Sequence, residues 1–519
     1  MRMSSTILRS AQVNGRGLAT HFGDREHSWE QFVSRVARIA AGLRANGVKP
    51  GDRVAILALN SDRYIEYFFA VPWAGAVFVP INIRLAPPEI AFWLNDSGAT
   101  MLLIDDAFMA VLPKLQGELE TVKTVVHLGD GAAPEGMLAF EGLLEGQSEM
   151  APADQGGDEL AGLFYTGGTT GRSKGVMLSH RNLLLNALQF LSVGDIGQKD
   201  TYLHAAPMFH IANGVAMTCI MSAGGGGTVI PAFDPIAVLE AIQSRRVTMS
   251  LLVPTMVNMV VNHPQAGDYD LSSLRNLYYG ASPMPEAVIT KALELIPGTH
   301  FHHAYGQTES APLLTILEPG RHTFEGPLAG KMKSCGQAIP GVELRVVDEQ
   351  DNEVARGTVG EICARGDNVM LGYWKQPELT ERTLRGGWLH TGDGGYMDEE
   401  GYLYIVDRVK DMIISGGENV YSAEVENAVH QHAAVAECAV IGVPHDKWGE
   451  QVHAIVRCHE DQSVSPEDLI AHCHELIAGY KCPRSVEFVT EPLPLSGAGK
   501  ILKTELRKPY WAGEEKQVH

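Results

Sequence analysis

Apolar runs short enough to be single strands alternate with amphipathic helical patterns as far as about residue 335, and this alternation limits the fold more than any other feature. The first unit is "HSWEQFVSRVARIAAGLRANGVKPGDRVAIL". Ser28 with Gln31 three residues later forms a capping box; Trp29, Phe32, Val36, Ile39 and Leu43 keep the spacing of one helical face; Asn46-Gly47 is a stop signal. Val54 to Leu57 then reads as a buried strand. The same alternation returns at "TMLLIDD", "TVVHL", "GGTVI", "VTMSLLVP" and "LRNLYYG", each beside a helical pattern, as parallel α/β layers require. Beyond residue 335 the texture changes to short strands with turn signals, "VELRVVDEQDN", "GEICARG" and "GGWLHTGDGGYMDEEGYLYIVDR", which implies a β-rich subdomain. From "VKDMIISGGENVYSAEVENAVHQH" onward the patterns are mixed. The expected fold class is α/β: a large N-terminal domain, residues 1–408, of layered α/β subdomains plus the β-rich one, and a small α+β domain over residues 409–519. "GGGG" at Gly224 to Gly227 reads as a tight turn before a strand.

The formal charge of −21 argues against nucleic-acid binding, which needs a basic face. The seven cysteines are scattered and form no C-x-x-C, so they read as reduced thiols of a cytoplasmic protein. "MRMSSTILRSAQVNGRGLAT" lacks the apolar core of a secretory signal, and no window reaches the ~18 apolar residues of a membrane span. A homodimer is compatible with the sequence. "LFYTGGTTGRSKGVMLSH", Leu163 to His180, is rich in small and hydroxylated residues that leave backbone N–H groups uncovered for an anion such as a phosphate. A Walker A loop fails on spacing, because Lys174 follows Ser173 and precedes no Ser or Thr.

"YTGGTTGRSKGV", "YGQTES", "GWLHTGD", "DRVKDMIISGGENVYSAEVE" and "SGAGKILKTELR" occur in this order over most of the chain. Together they resemble the AMP-forming acyl-CoA synthetase superfamily, the adenylate-forming enzymes that include luciferase, and in particular fatty-acid or aryl-CoA ligases. The resemblance implies ATP/AMP, Mg²⁺ and coenzyme A as cofactors and a small carboxylic acid as partner. It implies phosphate contacts from Thr166, Gly167, Gly168, Thr169, Thr170, Gly171 and Lys174. Glu309 would coordinate Mg²⁺ with Thr308 beside it on phosphate; Tyr305 would lie against adenine, near Gly280, Ala281 and Gly306; Asp393 would hold the ribose hydroxyls, assisted by Arg408. Lys500 would bridge the substrate carboxylate and the α-phosphate, on a C-terminal domain that rotates about Lys410 between half-reactions. Gly416 and Gly417 would line the CoA channel, Trp448 would stack on the CoA adenine, and His210 would orient or gate the acyl site.

Two positions depart from the family loop: Gly167 stands for a Ser and Ser173 for a Pro, which removes a hydroxyl donor and loosens the chain. The acyl-site neighbours Met208, Phe209, Ile211, Ala212, Gly280, Ala281, Ala311 and Pro312 are apolar or small and none is Lys or Arg, which argues mildly against a dicarboxylate. A medium- to long-chain fatty acid is the first expectation, an aromatic acid of the cinnamate type the second, and transfer to a carrier protein the third. A nucleotide-binding protein without turnover is opposed by the joint presence of Lys500, Glu309 and Asp393. "HFHHAYG" puts His300 and His302 on one strand face and His303 on the other, and "HCHE" at His472 falls in a helical pattern; neither has the convergent ligands that zinc needs.

Overall fold

The structure, a computed structural model, describes residues 1–115, 117–166, 173–282, 284–408, 411–415, 418–445, 448–496 and 500–512. Three sheets account for the larger part. A nine-stranded sheet has at its centre the parallel strands Gly226–Val229, Thr201–His204, Met249–Leu251, Asn276–Gly280 and His300–Gly306. An eight-stranded sheet runs through Lys174–Ser179, Leu160–Thr166, Val77–Pro80, Arg53–Leu57 and Ala99–Ile104, again parallel except where Lys174–Ser179 pairs antiparallel with Leu160–Thr166 on one side and with the short edge strand Gly372–Tyr373 on the other. The β-rich expectation beyond residue 335 corresponds to an antiparallel sheet of Glu343–Val347, Gly360–Arg365, Leu389–Met397 and Leu403–Arg408. A further sheet, built on the long pair Val435–His445 and Gly449–Cys458, carries the C-terminal α+β part.

Helix Trp29–Ala45 forms for the reasons legible in its sequence. Gln31 N donates to Ser28 Oγ, Ser28 N donates to Gln31 Oε1 at 2.8 Å, and Trp29, Phe32, Val36, Ile39 and Leu43 are all buried. Gly42 in the same helix is the exception to helix propensity. Alanine there would favour the helix by about 0.8–1 kcal/mol, yet its Cβ would lie 2.0 Å from the Leu143 carbonyl oxygen. The close approach wins: Gly42→Ala is expected to destabilise the protein by about 1–3 kcal/mol net. A thermal melt with an unchanged or raised Tm would refute this.

The glycine run is divided between two roles. Gly224, at φ +80°, caps helix Ile211–Ala223, whereas Gly226 and Gly227 already belong to the following strand. A Cβ on Gly226 would crowd the Leu18 carbonyl oxygen at 3.0 Å, so close packing against the neighbouring strand explains glycine there. Among the described residues no helix is long and apolar enough to cross a membrane. All seven cysteines are free thiols.

Candidate active site

Parallel strands expose their carboxyl ends to ligands, and several of the expected residues lie at or just after such ends. Thr166 closes strand Leu160–Thr166, Gly280 closes Asn276–Gly280, and Gly306 closes His300–Gly306, directly before Thr308 and Glu309. Glycine at 280 and 306 is dictated by space: a Cβ would come 2.1 Å from the Ala304 carbonyl oxygen and 1.7 Å from that of Pro312. Ala281 and Ala311, which follow these turns, hold left-handed conformations at φ +69° and +64°. Each costs on the order of 1 kcal/mol or more, and such strain concentrates where a chain must present its backbone in one orientation.

Lys174 meets Thr166 across the hairpin. Its Nζ lies 4.6 Å from the centre of the Tyr373 ring and 3.4 Å from the Tyr373 hydroxyl. That hydroxyl donates to Glu309 Oε1 at 2.8 Å, so lysine, tyrosine and glutamate form a chain. Burial, reinforced by the Glu309 charge, pushes the Tyr373 hydroxyl far up, which keeps it a donor. Glu309 is itself buried, and among the described residues its Oε2 accepts no hydrogen bond. The Thr166 hydroxyl is buried and likewise has no partner among the described residues. Sequence reasoning missed Tyr373. It lies on a two-residue strand, Gly372–Tyr373, that pairs with Val176 and Met177; no periodicity marks so short an element.

On the opposite side, Tyr305 donates its hydroxyl to Asp393 Oδ2 at 2.8 Å, and both residues are buried. The ring of Tyr305 therefore stands beside the carboxylate expected to hold ribose. Asp393 N donates to Thr391 Oγ1 at 3.1 Å, and Thr391 Oγ1 donates to the Ile362 carbonyl at 2.7 Å, which fixes the "HTGD" turn to its neighbouring strand. Arg408 is the backbone partner of Asp393 in that sheet.

His210 caps helix Ile211–Ala223, its Nδ1 accepting from Ala212 N at 3.3 Å. Burial and then the positive charge of Lys500 push its pKa down to about 4. The C-terminal lysine is thus close enough to act on a residue of the large domain. The Lys500 loop is closed by Lys500 N donating to Ser496 Oγ at 3.1 Å and by Ser496 N donating to the Lys500 carbonyl at 2.6 Å. Arg84 Nη1 donates to the Ser496 carbonyl at 2.8 Å across the same junction.

Trp448 is already engaged: the His445 ring stacks on it at 4.4 Å and the Arg484 guanidinium lies 3.8 Å from its ring centre. His302 stacks on Tyr278 at 4.5 Å and His303 on Tyr279 at 4.8 Å, so the two histidines serve aromatic packing on opposite faces. Gly167, Gly168, Thr169, Thr170, Gly171, Lys410, Gly416 and Gly417 lie outside the described residues.

Hydroxyl and lysine donors face one carboxylate with an uncommitted oxygen and a second carboxylate oriented by a tyrosine, while another lysine arrives from a separate domain. Such a division suits the activation of a carboxylate by a nucleoside triphosphate, and the fold and site together define the adenylate-forming class. The family model for the AMP-binding enzyme matches residues 7–374, and that for the AMP-binding enzyme C-terminal domain matches residues 424–500. The chain belongs to this family, the adenylate-forming acyl-CoA synthetase superfamily, and is an AMP-forming acid–CoA ligase. It is 41% identical to a feruloyl-CoA synthase of Amycolatopsis sp over 98% of this chain and 99% of that one. It is 36% identical to the fatty acid–[acyl-carrier-protein] ligase ScoC of Streptomyces coeruleorubidus, over 95% and 94%. The crystal structure of the anthranilate CoA ligase AuaEII in complex with anthranoyl-AMP superposes with a TM-score of 0.91 at 29% identity, over 98% of this chain and 97% of that one.

Proposed function

We propose that the protein activates an aromatic carboxylic acid as its adenylate and transfers the acyl group to coenzyme A. The observation that carries the choice of acid is the 41% identity to a feruloyl-CoA synthase over nearly the whole of both chains. Fatty acids, first on sequence grounds, become the second reading, supported by the 36% identity to a fatty acid ligase. The apolar and small neighbours Phe209, Ile211, Ala212, Ala281 and Ala311 suit either acid. Incubation with Mg-ATP, CoA and a mixture of ferulic, anthranilic, decanoic and palmitic acids tests the choice. Aroyl- or cinnamoyl-type thioesters with AMP should dominate the mass spectrum; predominance of fatty acyl-CoA would overturn it, and acyl-adenylates that persist with CoA present would move the reading to carrier-protein transfer.

In this reading Thr166 and Lys174, with the loop between them, donate to the outer phosphates of ATP. The Thr166 hydroxyl, buried and without a partner among the described residues, supports that assignment. Glu309 Oε2, which accepts no hydrogen bond among the described residues, fits a hard, oxygen-seeking cation such as Mg²⁺. Bound there, Mg²⁺ would neutralise charge accumulating on the phosphates. Thr308 would donate to phosphate beside it. Tyr373 aims the Glu309 carboxylate, and Tyr373→Phe should lower the adenylation rate by about 3- to 10-fold, the net worth of one ordinary hydrogen bond. Single-turnover adenylate formation at unchanged Tm would test this; wild-type rates would deny the role. Tyr305, Gly280, Ala281 and Gly306 border the adenine, Asp393 accepts from the ribose hydroxyls with help from Arg408, and neutral His210 borders the acyl carboxylate without repelling Lys500.

The division into residues 1–408 and 409–519 is part of the same proposal. Arg507 Nη1 donates to Asp411 Oδ1 at 2.9 Å, which binds the first residues after the division to the last helix and supports their moving as one body. Rotation at Lys410 would then exchange the Lys500 loop for a CoA channel along Gly416 and Gly417. Trp448 enters as a cation-capped stack, with Arg484 and His445, against which the CoA adenine would have to compete.

A further inference from the structure

One cluster of metal-ligating side chains lies apart from the phosphate-facing residues. Glu361, Cys363 and His390 each offer an atom within 4.8 Å of the others, and among the described residues they form the one such His/Cys/carboxylate group. The antiparallel strands Gly360–Arg365 and Leu389–Met397 bring them together: Cys363 and His390 are register partners, and Glu361 is two residues earlier on the same strand. Cys363 Sγ is 3.3 Å from His390 Nδ1, and Glu361 Oε2 is 2.9 Å from that same nitrogen. A tetrahedral zinc with ordinary bond lengths separates its sulfur and nitrogen ligands by about 3.6 Å and nitrogen and oxygen by about 3.3 Å, so a few tenths of an ångström of opening would admit the ion. Asp351 Oδ1, 3.9 Å from Nδ1, offers a fourth ligand. Cys363 is fully buried and His390 is 7% exposed, while the carboxylates of Glu361 and Asp351 keep the cluster open to solvent on one side.

We propose that Glu361, Cys363, His390 and Asp351 form a binding site for a borderline-soft divalent cation of the zinc class, and that its occupancy weakens nucleotide binding. Imidazole and sulfur exclude Mg²⁺, which keeps this site distinct from Glu309. Binding converts the Cys363 thiol to a metal-bound thiolate and releases its proton to solvent. Burial, then the Glu361 charge, push that thiol up to about 12, and the charge of an arriving cation would outweigh both effects. Arg385 now supplies the positive charge: its Nη2 lies 2.9 Å from Asp351 Oδ1 and 3.4 Å from Glu361 Oε2, and it must move aside. The link to the nucleotide is Glu361 Oε1, which accepts from Gly392 N at 3.1 Å directly before Asp393. Drawing Glu361 onto a metal frees that turn. This second clause rests on the ribose role of Asp393; the metal site does not.

Cobalt(II) titration of the full-length protein tests the site through its absorption spectrum. Tetrahedral ligand-field bands with a thiolate charge-transfer band are expected near one equivalent, and the charge-transfer band should vanish in Cys363→Ser. Arg385→Ala, a surface change, should tighten binding severalfold. Absence of the thiolate band in excess cobalt, its persistence in Cys363→Ser, or weaker binding by Arg385→Ala would overturn the site. Zinc should then raise the KM for ATP by about tenfold in the wild type and leave that of Cys363→Ser unchanged. Cobalt binding at Cys363 with an unaltered KM for ATP would retain the metal site and overturn its coupling to the nucleotide.

Discussion

Replacing Lys500 by alanine will slow acyl-adenylate formation by about 10²- to 10³-fold, corresponding to ~3–4 kcal/mol of lost stabilisation of developing charge. The magnitude follows from what the residue does in the proposed reaction. Attack of a carboxylate on the α-phosphate brings two anions together, and a single ammonium between them counts most when their charge is greatest. ATP affinity should change little, because in the proposed reading Thr166, Lys174 and the Asp393 side would supply the ground-state contacts. The two half-reactions separate the roles: synthesis of the thioester from preformed acyl-adenylate and CoA should survive in Lys500→Ala. Adenylation near the wild-type rate would remove Lys500 from the mechanism. The docking of its loop onto the large domain has a visible support in the Arg84 to Ser496 hydrogen bond.

Asp393→Asn should lower kcat/KM for ATP by about 10²-fold, some 2.7 kcal/mol, as a charged acceptor for the ribose hydroxyls becomes a neutral one. KM for the acid should stay constant, since the change is confined to the nucleotide side. Tyr305→Phe provides a graded comparison. It leaves the carboxylate charged but removes the 2.8 Å hydrogen bond that aims it, so about a 5- to 10-fold loss is expected. If Asp393→Asn left the KM for ATP within about twofold at full adenylation rate, the ribose assignment would fall. A lowered Tm in both variants with proportionate loss of all activities would mark them as structural.

How much of the site was legible in the sequence depends on how each part is built. Thr166, Lys174, Thr308, Glu309 and Asp393 belong to contiguous motifs whose chemistry is written in residue types; the structure puts Thr166 and Lys174 at strand ends, Thr308 and Glu309 in the turn after strand His300–Gly306, and Asp393 in the middle of strand Leu389–Met397. Tyr373 carried no such mark, because its value comes from pairing with the strand that starts at Lys174. The Glu361, Cys363 and His390 cluster was equally hidden. A search for C-x-x-C or neighbouring histidines cannot find ligands that an antiparallel register joins across 27 residues between Cys363 and His390. Trp448 shows the opposite case: an aromatic residue available to a ligand on paper is stacked by His445 and Arg484 in the folded chain.

The sequence by itself determined the alternation of strands and helices, the capping of helix Trp29–Ala45, the change to antiparallel strands beyond residue 335 and the class of chemistry. These depend on local periodicity and on functional groups held within short motifs. Only the tertiary structure decided that Tyr373 reaches Glu309, that Tyr305 and Asp393 bond, and that burial, with the Lys500 charge adding to it, depresses the basicity of His210. Such relations depend on strand register and on the docking of one domain against another, where side chains far apart in the chain share one small volume and their charges act at short range.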